Sequence, residues 1–441
     1  MTERKHACEI FNAALKAADP ATGIRKVVSR DSDGIVIDGV RYPADTYKRV
    51  MVVGAGKASA RMGSAVEDIL GSSINTGWIN TKDGHSLPLE RITVHECGHP
   101  VPDERGIAGS ESINKLLETA DSSTLVIGLI SGGGSALLPA PVPGITLAEK
   151  QEITKLLLKA GASINELNAV RKHLSTLKGG GLARAASPAA VHLLILSDVI
   201  GDPLDTIASG PGVADMSTYT DCLGIIDRYG LRSSVPAGIV QRFEDGAAGN
   251  IPETAKPGDG FLAGVRTTLI GNNAISVEAA CNSAVDLGYN TMILTTVLEG
   301  EASEVGTVLA SIALEVDRND RPLKRPACLI AGGETTVTVT GEGLGGRNQE
   351  MAAVVAERCA GLERFAFLSG GTDGTDGPTD AAGGVVDGET LARGQRMGLD
   401  VRSFIADNDT YHYLKAVDGL LVTGPTGTNV MDIHLLLLGE S

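Results

Sequence analysis

The chain has 441 residues, with 38 Lys and Arg against 54 Asp and Glu and a formal net charge of −16. That balance is the reverse of what a nucleic-acid or anionic-membrane binder carries, and aromatics at 3 % leave little for base or sugar stacking. Hydrophobic residues at 42 % supply real cores for two or three domains of about 150 residues each, and Gly, at 56 residues, stands near twice its usual share of ~7 %.

The chain opens on an amphipathic run around Ile10, Phe11, Ala14 and Leu15, and its first residues make no signal peptide. A short apolar strand, a Gly-rich turn and a helix then recur. The strand at 50–53 enters Gly54-Ala55-Gly56-Lys57, with a helix over 58–70. The strand at 125–130 enters Ser131-Gly132-Gly133-Gly134-Ser135, a helix covers 147–159, and the strand at 191–196 enters a loop holding Asp198. Near-continuous apolar strands of this kind are covered on both faces, as in a mostly parallel sheet. The polar, Gly- and Pro-rich stretch 245–260 is the expected linker between domains at 1–244 and 261–441. Beyond it come strands at 268–270, 292–295 and 327–330, an antiparallel strand at 336–340, and strands at 365–368 and 420–423. The reading is α/β, two three-layer domains with mainly parallel sheets. The six cysteines form no CxxC pair and read as free thiols of a reducing compartment. No apolar run approaches the roughly 18 residues of a membrane span. A cytoplasmic location is expected, with neither membrane nor nucleic acid as partner and a homodimer as the base-rate oligomer.

The loops carry the candidate chemistry. Gly54-Ala55-Gly56-Lys57-Ala58-Ser59 fails as a Walker A loop, because Ala58 follows the Lys, and as a dinucleotide fingerprint, because Ser59 replaces the third Gly. It keeps backbone N–H groups at a helix start and a mobile cation, which together attract an anion. His95-Glu96-Cys97-Gly98-His99 matches the zinc-protease string, but it follows strand-like residues and Pro100 excludes the required helix. Gly133-Gly134-Ser135-Ala136-Leu137 misses the hydrolase elbow at its last Gly, so Ser131, Gly132, Gly133, Gly134 and Ser135 read as a phosphate or carboxylate loop. Arg171, Ser175 and Lys178 share a face at helical spacing and suggest an anion clamp. Asp198, Asp373 and Asp376 lie in loops at strand ends and suit Mg²⁺ shared with a phosphate. Gly345-Gly346-Arg347-Asn348 sets one guanidinium fork at a Gly-rich tip. Gly-rich loops, a Lys, an Arg and clustered Asp without a credible nucleophile are the parts of phosphoryl transfer.

Read together, Gly54–Ser59, Gly98-His99-Pro100-Val101-Pro102-Asp103, Ser131–Leu137, Val170–Ser175 with Lys178-Gly179-Gly180, and Ser209-Gly210-Pro211 resemble the N-terminal domain of class II glycerate 2-kinases. Gly332–Thr336, Gly345–Glu350, Thr372–Gly377 and Thr426–Asn429 resemble their C-terminal MOFRL domain. The loop after Pro211 departs from the pattern, with Gly212 where Thr is expected. The resemblance implies ATP- and Mg²⁺-dependent phosphorylation of D-glycerate at its 2-hydroxyl in a cleft between two α/β domains. It also implies that Lys57 and Arg347 are the principal catalytic cations. Two rivals are an NAD(P)H-dependent hydroxypyruvate reductase, favoured only by the degenerate 54–59 turn, and a non-catalytic sugar-acid sensor.

Overall fold

The computed structural model describes residues 2–440. The N-terminal strands are β1 (Val28–Asp31), β2 (Gly34–Ile37), β3 (Val40–Pro43), β4 (Arg49–Ala55), β5 (Thr76–Lys82), β6 (Thr93–Cys97), β7 (Thr124–Ile130), β8 (Ala190–Leu196) and β9 (Val265–Gly271). The first three make an antiparallel meander. The rest form one sheet in the order β6-β5-β4-β7-β8-β9, with β6, β5, β4, β7 and β8 parallel. Every residue of β7 is buried, as its unbroken apolar sequence requires. The helices after these strands carry their own start signals. Asp103 accepts from Gly106 N at the head of Glu104–Leu117, and Thr146 with Glu149 forms a reciprocal capping box at the head of Leu147–Lys159.

The C-terminal strands are β10 (Asn290–Leu298), β11 (Ala327–Gly333), β12 (Phe365–Gly371), β13 (Gly383–Asp387), β14 (Leu420–Leu421) and β15 (Asp432–Leu438), in the order β10-β11-β15-β12-β13-β14. Strands β10, β11, β12 and β14 share a direction, and β13 and β15 oppose them. The period of two decides the layers. Cys328, Ile330, Leu435 and Leu437 turn to one face and pack with Ile10, Phe11, Val277 and Ala280. Leu329, Phe367, Leu436 and Leu438 turn to the other and pack with Leu309, Ala313, Met351 and Val355. The sheet is therefore the middle of three layers.

The chain divides into two compact units that are not contiguous in sequence. One holds 23–197 and 202–270; the other holds the chain up to Thr22, 198–201 and everything from 271. Residues 261–270, expected in the C-terminal domain, fall in the N-terminal unit, and three further expectations change. The helix Thr2–Ala17 belongs with the C-terminal unit, because Ile10, Phe11 and Ala14 cover its sheet. The stretch 245–260 is packed rather than free within the N-terminal unit. The helix Ala237–Ala247 runs into it, Glu253 Oε2 lies 3.0 Å from His173 Nε2, and Ala255 N donates to Gly179 O. Its Gly and Pro content shapes a docked loop, which composition alone cannot tell from a linker. The strand expected at 336–340 reduces to one bridge between Glu301 and Thr336. Among the described residues no helix is long and apolar enough to cross a membrane.

Candidate active site

Because β4 to β8 are parallel, their C-terminal ends share one edge, where open α/β sheets hold ligands. That edge of the N-terminal unit collects Lys57 after β4, Lys82 and His85 at the end of β5, His99 after β6 and the 131–135 turn after β7. The two Gly-rich turns are sewn together. Lys57 N donates to Gly132 O (2.9 Å) and Ser131 N to Ala55 O (3.2 Å). Ser131 Oγ accepts from Ala58 N (3.0 Å), while Ser59 Oγ donates to Leu129 O (3.0 Å). Both serines are buried, so these hydroxyls, expected on a phosphate, are spent inside the protein.

The glycines serve the same closeness. A Cβ at Gly56 would lie 2.0 Å from Ser131 Oγ, one at Gly54 2.6 Å from Leu129 O, and one at Gly134 3.0 Å from Ala55 O. Gly133, at φ +80°, passes so near His99 that a Cβ would sit 2.7 Å from its Nε2. Each of these glycines makes room for a neighbouring side chain or turn. Lys57 is left differently. Among the described residues its Nζ makes no hydrogen bond or ion pair, and its side chain is half-buried against Gly133. Burial, then the charges of Lys57, Lys82 and His85, hold His99 down to about 4, so it is neutral at physiological pH. His99 is a site neighbour that the sequence shows only within the Gly98–Asp103 motif. Only His95, Glu96 and Cys97 of the zinc-protease string lie on β6, and Gly98 and His99 follow it, so the string forms no helix; His95 Nε2 bonds Arg105 O (2.9 Å).

Further along the 131–140 segment, Ser135 Oγ lies 3.1 Å from Ser209 Oγ, which donates to Asn168 Oδ1 (3.3 Å); among the described residues no histidine hydrogen-bonds Ser135 to complete a hydrolase triad. Ala208 and Ser209 hold φ of +49° and +60°, strained values for residues with a Cβ and of the kind that cluster at functional sites. The helix carrying Arg171 ends at His173, so Arg171, Ser175 and Lys178 do not share a helix face as expected. Lys178 returns by way of the following turn instead, buried, with Nζ 2.8 Å from both Ser135 O and Leu138 O.

In the C-terminal unit, β11 and β12 both pair with β15, and the register sets Asp432 opposite Gly333 and Gly371. Arg347, the first residue of the helix Arg347–Arg358, grips that buried carboxylate with both arms of its fork: Nε to Oδ2 at 2.6 Å and Nη2 to Oδ1 at 2.9 Å. Nη1 lies 3.0 Å from Glu334 Oε1. Desolvation opposes its charge, but Asp432 and Glu334 outweigh it and raise the guanidinium pKa. The side chain stays 31 % exposed. Burial raises the carboxyl of Glu334, with Asp432, Asp198 and Asp373 adding and Arg347 opposing. Glu334 is a member of this charged group that the sequence does not single out; its signals were its place after β11 and inside the Gly332–Thr336 motif.

Of the three expected metal ligands, Asp376 and Asp373 are committed to local hydrogen bonds, and Asp198 lies near enough to Glu334 to raise its carboxyl along with Asp373. Asp376 is buried at the start of the Arg347 helix, its carboxylate accepting from Asn348 N (3.2 Å), Gln349 N (2.9 Å) and Gln349 Nε2 (3.0 Å). Gly346 is required there, since a Cβ would lie 2.4 Å from Asp376 Cγ; one at Gly345 would lie 2.5 Å from Thr410 Oγ1. Asn348 is fully buried and accepts from Ser369 Oγ (2.6 Å), so it braces the turn instead of reaching out. Asp373 accepts from Thr375 N and Oγ1 within its own turn. Among the described residues no group of three His, Cys, Asp or Glu could hold a metal ion, so a resident Mg²⁺ cage does not fit this donor set. Asp376→Ala is expected to lower stability by about 1–3 kcal/mol through loss of the cap. The Mg²⁺ concentration giving half-maximal rate should stay unchanged, whereas a metal ligand's loss would raise it many-fold.

Two families match the chain: one described as a domain of unknown function (DUF4147), over residues 6–244, and the MOFRL family, over 327–432. The D-glycerate 2-kinase of Thermotoga maritima is 43 % identical over 438 residues, covering 99 % of this chain and 98 % of that one. A protein of Agrobacterium vitis, provisionally named a hydroxypyruvate reductase, is 42 % identical over 434 residues, covering 98 % and 93 %. The crystal structure of a glycerate kinase from Thermotoga maritima superposes with a TM-score of 0.89 at 42 % identity, covering 99 % of both chains.

Proposed function

The chain belongs to the glycerate 2-kinase family, and from that premise we propose that it transfers the γ-phosphoryl group of ATP to the 2-hydroxyl of D-glycerate. The products are 2-phospho-D-glycerate, ADP and a proton. One observation carries this reading: an uncommitted ammonium, Lys57, stands at the ligand-binding edge of a parallel sheet in a chain 43 % identical, end to end, to a D-glycerate 2-kinase.

In this mechanism the 2-hydroxyl oxygen attacks the γ-phosphorus as the bond to the bridging oxygen breaks, and the hydroxyl proton is released. Little covalent work falls to the protein, so positioning and charge neutralisation set the rate. Lys57 supplies a mobile positive charge to the transferring group. Arg347, held by Asp432 and Glu334, offers a rigid one. Magnesium arrives with the nucleotide, as the Mg²⁺–ATP substrate, which suits an ion that prefers phosphate oxygens and water to an all-protein cage. The free cysteines support a cytoplasmic setting.

The test is to incubate the protein with D-glycerate and Mg²⁺–ATP, and separately with hydroxypyruvate and NADH. Glycerate-dependent ADP formation is the expected result. NADH oxidation without it would favour the reductase named for the Agrobacterium relative, and neither would favour a binding protein.

A further inference from the structure

Resting on the kinase reading, we propose that Arg171, backed by Lys150 and Lys178, holds the carboxylate of the acid substrate, leaving Lys57 to the phosphoryl group. Three cations meet here without a counter-charge. Lys150 Nζ is buried and donates to Pro139 O (2.6 Å), and Lys178 Nζ is buried on Ser135 O and Leu138 O (2.8 Å each). Among the described residues none of the three pairs with a carboxylate, and the half-buried Arg171 guanidinium makes no hydrogen bond or ion pair at all.

Burying like charges together is costly unless an anion joins them. Burial and the nearby Arg171 push Lys150 down to about 7, and burial, Lys150 and Arg171 push Lys178 well down. The other buried cation of this unit, Lys172, shows the contrast: it has Asp215 (3.3 Å) and Asp205 (3.4 Å) as partners. The two lysines are tied to carbonyls and cannot swing out, so an anion bound beside them would favour the charge that burial opposes. Arg171 keeps its whole fork free, the geometry that grips a carboxylate in two bonds. The carbonyls holding the lysines belong to Ser135, Leu138 and Pro139, a few residues along the segment whose Gly133 touches Lys57. A small acid held there would thus lie on the segment that also borders Lys57. A nucleotide phosphate has the same oxyanion chemistry, and the experiment separates the two.

The experiment measures D-glycerate and ATP kinetics, with ligand-induced shifts of the thermal midpoint, for wild type, Arg171→Gln and Arg171→Lys. Arg171→Gln should raise the KM for D-glycerate by about 10- to 100-fold and abolish the midpoint shift that D-glycerate produces. The KM for ATP, its midpoint shift and the ligand-free midpoint should all stay near wild type, because the fold makes no use of the guanidinium. Arg171→Lys, which keeps the charge and loses the fork, should fall between; it also serves if the Gln variant does not fold. Loss of the ATP response instead, or no change in either ligand, would overturn the assignment. Failure of wild type to turn over D-glycerate while still binding it through Arg171 would count against the kinase reading alone.

Discussion

Lys57→Ala lowers kcat/KM for glycerate-dependent ADP formation by about 10³-fold while leaving the thermal midpoint close to wild type. Both halves of that expectation come from one observation. The Lys57 ammonium has no hydrogen bond or ion pair among the described residues, so the fold does not depend on it. Its backbone, by contrast, is fixed by the bond from Lys57 N to Gly132 O (2.9 Å), so the side chain departs from a rigid point. A charge held ready beside a ligand edge but unused by the protein is what transition-state neutralisation requires. A rate within tenfold of wild type would remove Lys57 from the mechanism. A large fall in midpoint would mean that its loss acts through structure.

Arg347→Ala is expected to do two kinds of damage. It removes the rigid cation from the reaction, and it strands the fully buried Asp432 without its bidentate partner. Breaking such a pair from one side costs more than the pair is worth, about 2–3 kcal/mol for this partly exposed arginine. The second substitution Asp432→Asn in the Arg347→Ala background separates the effects. It relieves the stranded charge and should recover much of the stability, yet it should restore none of the activity. If the double variant recovers turnover, Arg347 is only a structural partner of Asp432. If Arg347→Ala keeps both stability and rate, neither role stands.

Much of the fold is legible in the sequence because the central strands of both large sheets are buried. The unbroken apolar runs that become β4, β7 and β8 and the period-two faces of β11 and β15 follow from burial alone. What escaped depends on packing between segments far apart in sequence. The Thr2–Ala17 helix reads as amphipathic, but nothing local says that its apolar face serves the sheet built from residues past 290. The stretch 245–260 has a linker's composition and is anchored through His173 and Gly179. At the site, the residue types in the loops were readable but their duties were less so. Ser59, Ser131, Asn348 and Asp376 carry polar groups that serve equally for ligand or for backbone, and the fold spends them on backbone or buried side chains. Glu334 and His99 lie inside the quoted motifs and Lys150 inside an expected helix, yet nothing in their sequence surroundings singles out any of the three. Their meaning lies in the neighbours that folding supplies.

The most direct test of the central claim is the phosphorus NMR spectrum of the product formed from D-glycerate and Mg²⁺–ATP. A phosphate on carbon 2 couples to the single hydrogen there and appears as a doublet, which is the result expected here. A triplet, from coupling to the two hydrogens of carbon 3, would place the phosphate on the other hydroxyl. That result, or ATP consumed with only inorganic phosphate released, would contradict phosphorylation at the 2-hydroxyl.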